Sequence, residues 1–231
     1  HVGIDETNRR FFVSDHGKLK IFAYDLDSVL TTPEYQPSVK IDMKKKLFPD
    51  DYLYLNDTLC IAKIIEPIGN NDYKPSVARW NMATGEINPM PYEYPDLKKV
   101  RFIYAASAEH QLYVQCYTQY DLMTICDFNG NLKCNIYGPK WVNEKTQTQH
   151  YSLGVEFCGD KILALYSGGD HRTDAYYPTK FLVFDLNGNY LKTLETGYMI
   201  TDFCYDKENN RLIINLNDEI QFTYLDLEGI I

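Results

Sequence analysis

The segment from Ser167 to Asp174, SGGDHRTD, holds the richest set of reactive side chains in this chain. A serine hydroxyl, the imidazole of His171 and the carboxylates of Asp170 and Asp174 are groups that serve in nucleophilic and acid–base catalysis. Closeness in sequence does not make a catalytic triad, however, and Ser167 lacks the G-x-S-x-G surroundings of a strained nucleophile elbow. We interpret the segment as a solvated loop, and we predict no catalytic residue.

Tyrosine is the other unusual feature, with 20 residues in the chain. Aromatic rings with a polar tip suit stacking on sugars or gripping peptides, because they bring a large area and lose few rotamers on binding. The alternative is packing within strands, where tyrosine is also favoured. The predicted ligand-binding residues are the aromatic and polar side chains near predicted long loops: Tyr73, Tyr117, Tyr120, Trp141, Asp170, His171, Tyr176 and Tyr177.

No metal or cofactor site is predicted. His16, His150 and His171 belong to separate repeats and lack the spacing of metal ligands. Asp160 and Asp206 occupy matching C-x-D-K segments, but aspartate at a short turn commonly bonds its own backbone, so we interpret both as turn formers. Glycine-rich phosphate loops and Cys-x-x-Cys pairs are absent from the sequence.

The elements that must position these residues are strands in a repeat. Residues 180–195, KFLVFDLNGNYLKTLE, predict two strands joined by a type I′ Asn-Gly turn, and residues 122–138 copy the pattern. Looser copies occur elsewhere, and each copy carries an acidic or amide anchor: Asp25, Asn81, Asp127, Asp185 and Asp226. These anchors are 56, 46, 58 and 41 residues apart. A repeat of about 40 to 50 residues, with strands in every unit, predicts a β-propeller.

The predicted fold class is therefore all-β, a β-propeller of four-stranded antiparallel blades with about five blades present. The fifth copy ends after three predicted strands, so we expect part of a six-bladed ring. The alternative is a five-bladed ring completed by an irregular terminal segment. Residues 1–231 are interpreted as a single propeller domain, incomplete at one or both ends, because no linker interrupts the repeat.

The predicted loops differ between the two faces of the blades. Turns from first to second and from third to fourth strands are short, whereas the other connections are long: Glu66–Ser76, Gly138–Tyr151, Gly168–Lys180 and Lys44–Asp51. Long loops on a rigid scaffold commonly hold binding residues. The alternative is that they only seal the ring or pack on a missing blade.

Composition limits the partners. A net charge of −9 and a pI near 5.0 argue against a nucleic-acid partner. The sequence contains no apolar run of the roughly 18 residues that a membrane-spanning helix needs. Its six cysteines lie within predicted strands, which favours reduced, structural thiols.

The segments DKENNRLIIN and FLVFDLNGN resemble blades of NHL and TolB-like six-bladed propellers, especially the bacterial exported TolB-like propeller lipoproteins of unknown function. These motifs are structural, so no catalytic residue is carried over. Asn81 departs from the pattern by replacing the anchor aspartate. The resemblance implies export to the periplasm or cell surface and a binding role, although a propeller fold does not define a function.

Together these features favour a non-enzymatic binding propeller whose long-loop face takes a protein, peptide or glycan partner. The alternative is a metal-dependent hydrolase or lactonase-like enzyme with its site at the central channel. Glu156 and Asp202, at matching first-strand positions, are the candidate carboxylates for that alternative. A purely structural or assembly role is the third hypothesis.

Overall fold

The computed structural model describes every residue except 1, 45, 71, 98 and 99. The chain divides into two compact units, residues 1–93 and residues 94–231. Within each sheet of both units, every strand pairs antiparallel with the strand that follows it along the chain. The units are therefore built from consecutive up-and-down sheets, as the repeat predicts.

Unit 1 contains two four-stranded sheets, blades 1 and 2. The strands of blade 1 are β1 (Val2–Asp5), β2 (Arg10–Asp15), β3 (Lys20–Asp25) and β4 (Ser38–Asp42), with helix α1 (Leu26–Thr31) between β3 and β4. The strands of blade 2 are β5 (Phe48–Asn56), β6 (Leu59–Gly69), β7 (Asp72–Asn81) and β8 (Glu86–Pro89).

Unit 2 contains two four-stranded sheets and one three-stranded sheet, blades 3, 4 and 5. The strands of blade 3 are β9 (Phe102–Ser107), β10 (Leu112–Tyr117), β11 (Leu122–Asp127) and β12 (Leu132–Tyr137). Those of blade 4 are β13 (Thr148–Cys158), β14 (Lys161–Asp170), β15 (Lys180–Asp185) and β16 (Tyr190–Glu195). Those of blade 5 are β17 (Ile200–Asp206), β18 (Arg211–Leu216) and β19 (Phe222–Asp226).

Burial follows the position of a strand within its blade. All of β10 is buried and only the last residue of β11 is not, because these strands are covered on both faces. The fourth strands β12 and β16 are mostly exposed. First strands of successive blades lie side by side, β1 beside β5 in unit 1, and β9 beside β13 and β13 beside β17 in unit 2.

This arrangement is the β-propeller fold, so the predicted fold class and the prediction of about five blades are confirmed. The chain contains five blades rather than six. As predicted, the fifth blade has three strands among the described residues. The single-domain interpretation stays a prediction.

The Asn-Gly turns differ from the predicted type I′ geometry. Only the glycines have positive φ, +80° at Gly130 and +84° at Gly188, whereas type I′ requires it at both central residues. The Gly130 N–H donates to the Asp127 carbonyl at 2.9 Å and the Asp127 N–H to the Asn131 carbonyl at 3.0 Å. The result is a three-residue loop that ends in a left-handed glycine.

The anchor carboxylates explain why this turn forms. The Asp127 side chain accepts the N–H groups of Asn129 and Asn131 at 2.8 and 2.9 Å. Asp185 repeats the arrangement one blade later. At the position where the anchor is an amide, Asn81 Oδ1 accepts from the N–H of Ala83 at 3.0 Å. An amide oxygen can accept such a bond as a carboxylate does, so Asn81 still caps its own turn, which is one residue longer and closes with the Gly85 N–H on the Asn81 carbonyl.

The predicted long connections are shorter than expected because the flanking strands extend into them. Residues 66–69 and 72–76 belong to the paired strands β6 and β7 rather than to a loop, with Pro67 opposite Tyr73. The predicted Gly138–Tyr151 loop ends at residue 147, and β14 continues to Asp170. In blade 1 the long connection is the one from β3 to β4, which contains α1, contrary to the predicted difference between the faces.

The six cysteines are free thiols, as predicted. Cys134 lies opposite Ile125, and a β-bulge places Cys126 opposite Leu132, so these two cysteines are not paired across the strands. Within residues 2–44, 46–70, 72–97 and 100–231, no helix is long and apolar enough to cross a bilayer.

Candidate functional site

Three connections of unit 2 meet at one edge of blades 3 and 4: residues 118–121, 138–147 and 171–179. We refer to this surface as the connection face. The His150 N–H donates to the Thr118 carbonyl at 2.8 Å, and the Thr146 hydroxyl to the Gln119 carbonyl at 3.2 Å. Lys140 Nζ donates to the Gly168 carbonyl at 3.4 Å. The connections are thus bonded to one another and to the strand ends that carry them.

Half of the eight predicted binding residues lie at the end of β14 or on the β14–β15 connection that follows it. Arg172 donates two side-chain hydrogen bonds to the Asp170 carboxylate, the shorter at 2.8 Å, and these hold the pKa of Asp170 well below its usual value. The backbone N–H of His171 donates to the Gln147 carbonyl, and its Nδ1 lies 3.0 Å from that oxygen. The rings of Tyr176 and Tyr177 lie 4.2 Å apart, and a hydrogen bond with Tyr177 raises the pKa of Tyr176.

The remaining predicted residues have other surroundings. Tyr117 and Tyr120 are each 3% exposed, so they are part of the interior. Trp141 is half-buried and packs against Tyr137 and Tyr94, with ring centroids 5.2 and 5.7 Å away. Tyr73 lies on β7 in unit 1 and is 37% exposed. Within unit 2 the structure brings Asp170, His171, Tyr176 and Tyr177 together on one connection.

A buried carboxylate anchors the connection face. Asp121, at the start of β11, is 1% exposed. Its Oδ2 accepts the Lys140 N–H at 2.9 Å and the Tyr166 hydroxyl at 3.3 Å. A Cβ at Gly138 would overlap the Asp121 carboxylate, so the chain can pass here only with glycine. Asp121 thereby fixes the start of the 138–147 connection.

His150 and Tyr166 complete a buried polar network around Asp121. His150 is 1% exposed, and its Nδ1 lies 3.3 Å from the Tyr166 oxygen and 3.7 Å from Asp121 Oδ1. Burial lowers the pKa of His150 more than the nearby carboxylate raises it, and burial raises the pKa of Tyr166. Both side chains are therefore neutral near pH 7. A proton on His150 Nδ1 lets Tyr166 accept from histidine while donating to Asp121.

A cavity of about 380 Å³ adjoins this network between blades 3 and 4. Asp121, Tyr151 and Tyr166 line it together with Lys180 of β15 and Tyr190 of β16. Lys180 Nζ lies 5.8 Å from the centre of the Tyr166 ring, within the range of a cation–π contact. The cavity therefore combines aromatic surface with a few polar groups, which is typical of small-molecule sites.

Sequence reasoning missed Asp121, Tyr166 and Lys180. Asp121 directly precedes a strand. At such a position the sequence does not distinguish an exposed aspartate in a loop from a buried aspartate. Tyr166 and Lys180 lie opposite one another on paired strands, and that register follows from the β14–β15 pairing rather than from local pattern. The one available signal was the succession of two long predicted connections on either side of β13.

The carboxylates proposed for an enzyme lie on neighbouring first strands, Glu156 on β13 and Asp202 on β17. Partial burial raises the pKa of the Asp202 carboxyl, although the residue keeps contact with solvent. Within the part of the chain that the structure describes, no three His, Cys, Asp or Glu residues lie close enough together to hold a metal ion.

The blades and their connections define a β-propeller with a polar face and an adjoining cavity. No known protein family matches the chain, and no curated protein does. Solved structures do match. The extracellular domain of a putative one-component system from B. thetaiotaomicron aligns with a TM-score of 0.61 at 11% identity, over 97% of this chain and 27% of that one. This chain thus spans about a quarter of its length.

Two enzymes share the fold as well. A gluconolactonase from Xanthomonas campestris aligns with a TM-score of 0.54 at 16% identity, over 90% of this chain and 65% of that one. A luciferin-regenerating enzyme aligns with a TM-score of 0.57 at 11% identity, over 96% of this chain and 74% of that one. At these identities the likeness shows the fold alone, and the neighbours include both an extracellular domain and enzymes.

Proposed function

We propose that this chain is a non-enzymatic binding propeller whose connection face takes a protein, peptide or glycan partner. The observation that carries the proposal is the meeting of three connections on one edge of two buried blades, with Tyr176 and Tyr177 side by side on one of them. Binding surfaces are commonly built from loops that a rigid scaffold positions.

The chemistry of the β14–β15 connection supports this role. The paired tyrosine rings offer aromatic area together with hydroxyl groups. Asp170 and Arg172 form an exposed ion pair with a contact of 2.8 Å, and its charges can exchange partners with a ligand at small cost, since exposed ion pairs contribute little to stability. His171 is held by Gln147 of the neighbouring connection, so the segment is ordered before a partner arrives.

The test is a binding screen of the purified protein against glycan and peptide arrays, followed by affinity measurements on Tyr176→Ala and Tyr177→Ala. Tyr224→Ala is the control, because Tyr224 is an exposed tyrosine on β19, away from the connections. We expect at least a tenfold loss of affinity for each of the first two variants, about 1.4 kcal/mol, and none for the control. Equal affinity in all three variants would refute this choice of residues.

We also propose that the chain is an exported propeller of the TolB-like or NHL-like kind, a lipoprotein located in the periplasm or at the cell surface. The turns between the first and second strands support it, since Asp5 and Asp206 each accept hydrogen bonds from an asparagine three residues on and an arginine five residues on. Fractionation of cells that make the full-length precursor tests the location. Recovery only in the cytoplasm would contradict it.

A second candidate function is a metal-dependent hydrolase or lactonase-like enzyme. The observation that favours it is the raised pKa of Asp202 beside the strand that carries Glu156, because perturbed carboxyls cluster at functional sites. Elemental analysis and a lactone hydrolysis assay with and without chelator test it. Stoichiometric metal with chelator-sensitive turnover, lost in Asp202→Asn, would favour this enzyme over the binding propeller.

A further inference from the structure

The cavity between blades 3 and 4 is a second site, distinct from the tyrosine pair of the connection face. It has a volume of about 380 Å³, within the range of small-molecule clefts. Its floor is formed by Asp121, Tyr151 and Tyr166, and its walls include Tyr137, Phe184 and Tyr190. The polar floor requires hydrogen-bonding groups on an occupant, whereas the aromatic walls require an apolar face.

The floor contains an acceptor without a hydrogen bond. Among the described residues Asp121 Oδ1 has no hydrogen-bond partner, although less than 1 Å² of it is accessible. His150 Nδ1 lies 3.7 Å from this oxygen, beyond hydrogen-bond range. A buried carboxylate oxygen without a donor is costly. Asp121 also lines the cavity, so a rotation of its carboxylate toward an occupant's O–H or N–H would remove that cost.

The walls contain two exposed tyrosines whose side chains are held in place by neighbouring residues. Tyr190 is 58% exposed, packs edge-on against Phe184 and shares a 2.8 Å hydrogen bond with Thr193. Tyr137 is 51% exposed, packs against Trp141 and has its hydroxyl 3.3 Å from that of Tyr94. Rings that are exposed but already ordered lose little entropy when a ligand stacks on them.

The charges of the lining favour a neutral occupant. Asp121 and Lys180 supply one negative and one positive group, so the formal charge of the lining is zero. The hydroxyls of Tyr166, Tyr190 and Thr193 can both donate and accept. Hydroxyl groups that both donate and accept hydrogen bonds are best matched by the hydroxyls of a polyol. The apolar faces of the tyrosine rings are best matched by the C–H faces of a pyranose.

We propose that this cavity binds one neutral sugar ring, stacked on Tyr190 or Tyr137, with a hydroxyl directed toward Asp121. The site is independent of the proposed binding by Tyr176 and Tyr177. A glycan partner could occupy both, whereas a protein partner would leave the cavity to a free sugar.

The test is titration of the whole chain with methyl glycosides of common hexoses and N-acetylhexosamines, followed by saturation-transfer NMR and calorimetry. We expect at least one glycoside to bind saturably with a millimolar or lower Kd. Tyr190→Ala should weaken binding at least fivefold. Tyr198→Ala should not, because Tyr198 is 56% exposed like Tyr190 but lies outside the cavity.

Two further variants separate this proposal from the proposed function. Asp121→Asn keeps the shape of the floor while removing its charge, and it should weaken sugar binding if its circular dichroism remains native. Tyr176→Ala should leave sugar binding unchanged while it weakens the partner of the connection face. Absence of binding by every glycoside, equal loss in Tyr198→Ala, or preferential binding of a zwitterionic amino acid would overturn the assignment.

Discussion

Tyr166 gives the buried Asp121 carboxylate one of its two hydrogen bonds, and its ring lines the cavity. Replacing Tyr166 with phenylalanine would leave a buried, charged acceptor with the Lys140 N–H alone. We expect Tyr166→Phe to lower the free energy of unfolding by about 1–3 kcal/mol in urea denaturation. Tyr190→Phe removes a hydroxyl from an exposed ring and should change stability by less than about 0.5 kcal/mol. Equal stability of the two variants would contradict the role given to Asp121.

His150 makes stability depend on pH. Burial holds its pKa in the folded chain below the ordinary value of 6.5, so the unfolded chain binds the proton more readily. The contribution of His150 to stability is therefore complete above about pH 6.5 and is lost as the pH falls through the folded pKa.

Urea denaturation from pH 7.5 down to pH 5 tests this dependence. The wild type should lose stability over that range, and His150→Gln, which cannot take up a proton, should lose less. Carboxyl groups titrate mainly below that range and affect both proteins alike. Parallel pH profiles would show that another group is responsible.

At the scale of the element, the anchor side chain determines whether an Asn-Gly turn forms. Asp127→Ala removes acceptors for two backbone N–H groups and should cost about 1–2 kcal/mol of unfolding free energy. Asp127→Asn should cost less than half as much, because the amide oxygen of Asn81 already accepts two backbone N–H groups at its own turn, one of them at the equivalent position, two residues on. Chemical denaturation of the two variants distinguishes them, and an asparagine as damaging as alanine would refute the equivalence.

Gly138 provides a second prediction at this scale. Since a Cβ there would overlap Asp121, Gly138→Ala should displace the 138–147 connection and destabilise the chain by about 1–3 kcal/mol. Gly17→Ala is the control, because a Cβ at Gly17 would meet only the Asp15 side chain, at 3.4 Å. Thermal denaturation measures both. A tolerated Gly138→Ala would mean that the connection is not packed on the carboxylate.

The sequence repeat predicted the strands because the alternation of apolar and polar residues and the turn residues are both visible within a few neighbouring positions. The anchors Asp127 and Asp185 marked two turns correctly, although the turn type was wrong, since both Asn and Gly were assumed to have positive φ. Lengths of connections were overestimated because strand pairing continues through residues such as Tyr73, which have no local apolar pattern. The Asp121 network was missed since it depends on which side chains two blades bury against each other.

At the scale of the whole molecule, the two units each contain one of the two tryptophans, Trp80 and Trp141. If residues 1–231 form a single domain, both units should unfold together. In Trp141→Phe the fluorescence reports only on Trp80 in unit 1, whereas far-UV circular dichroism reports on the strands of both units. We expect coincident urea midpoints from the two signals. Separate midpoints would show that the units unfold independently.

The Asn-Gly turns also affect how the protein ages. Deamidation at Asn-Gly begins when the glycine nitrogen attacks the asparagine side chain and forms a succinimide. In the folded chain the N–H groups of Gly130 and Gly188 are bonded to the carbonyls of Asp127 and Asp185. Folding should therefore slow this reaction at Asn129 and Asn187, so isoaspartate at these two positions would accumulate mainly in molecules that have unfolded, as a chemical record of time spent outside the native state.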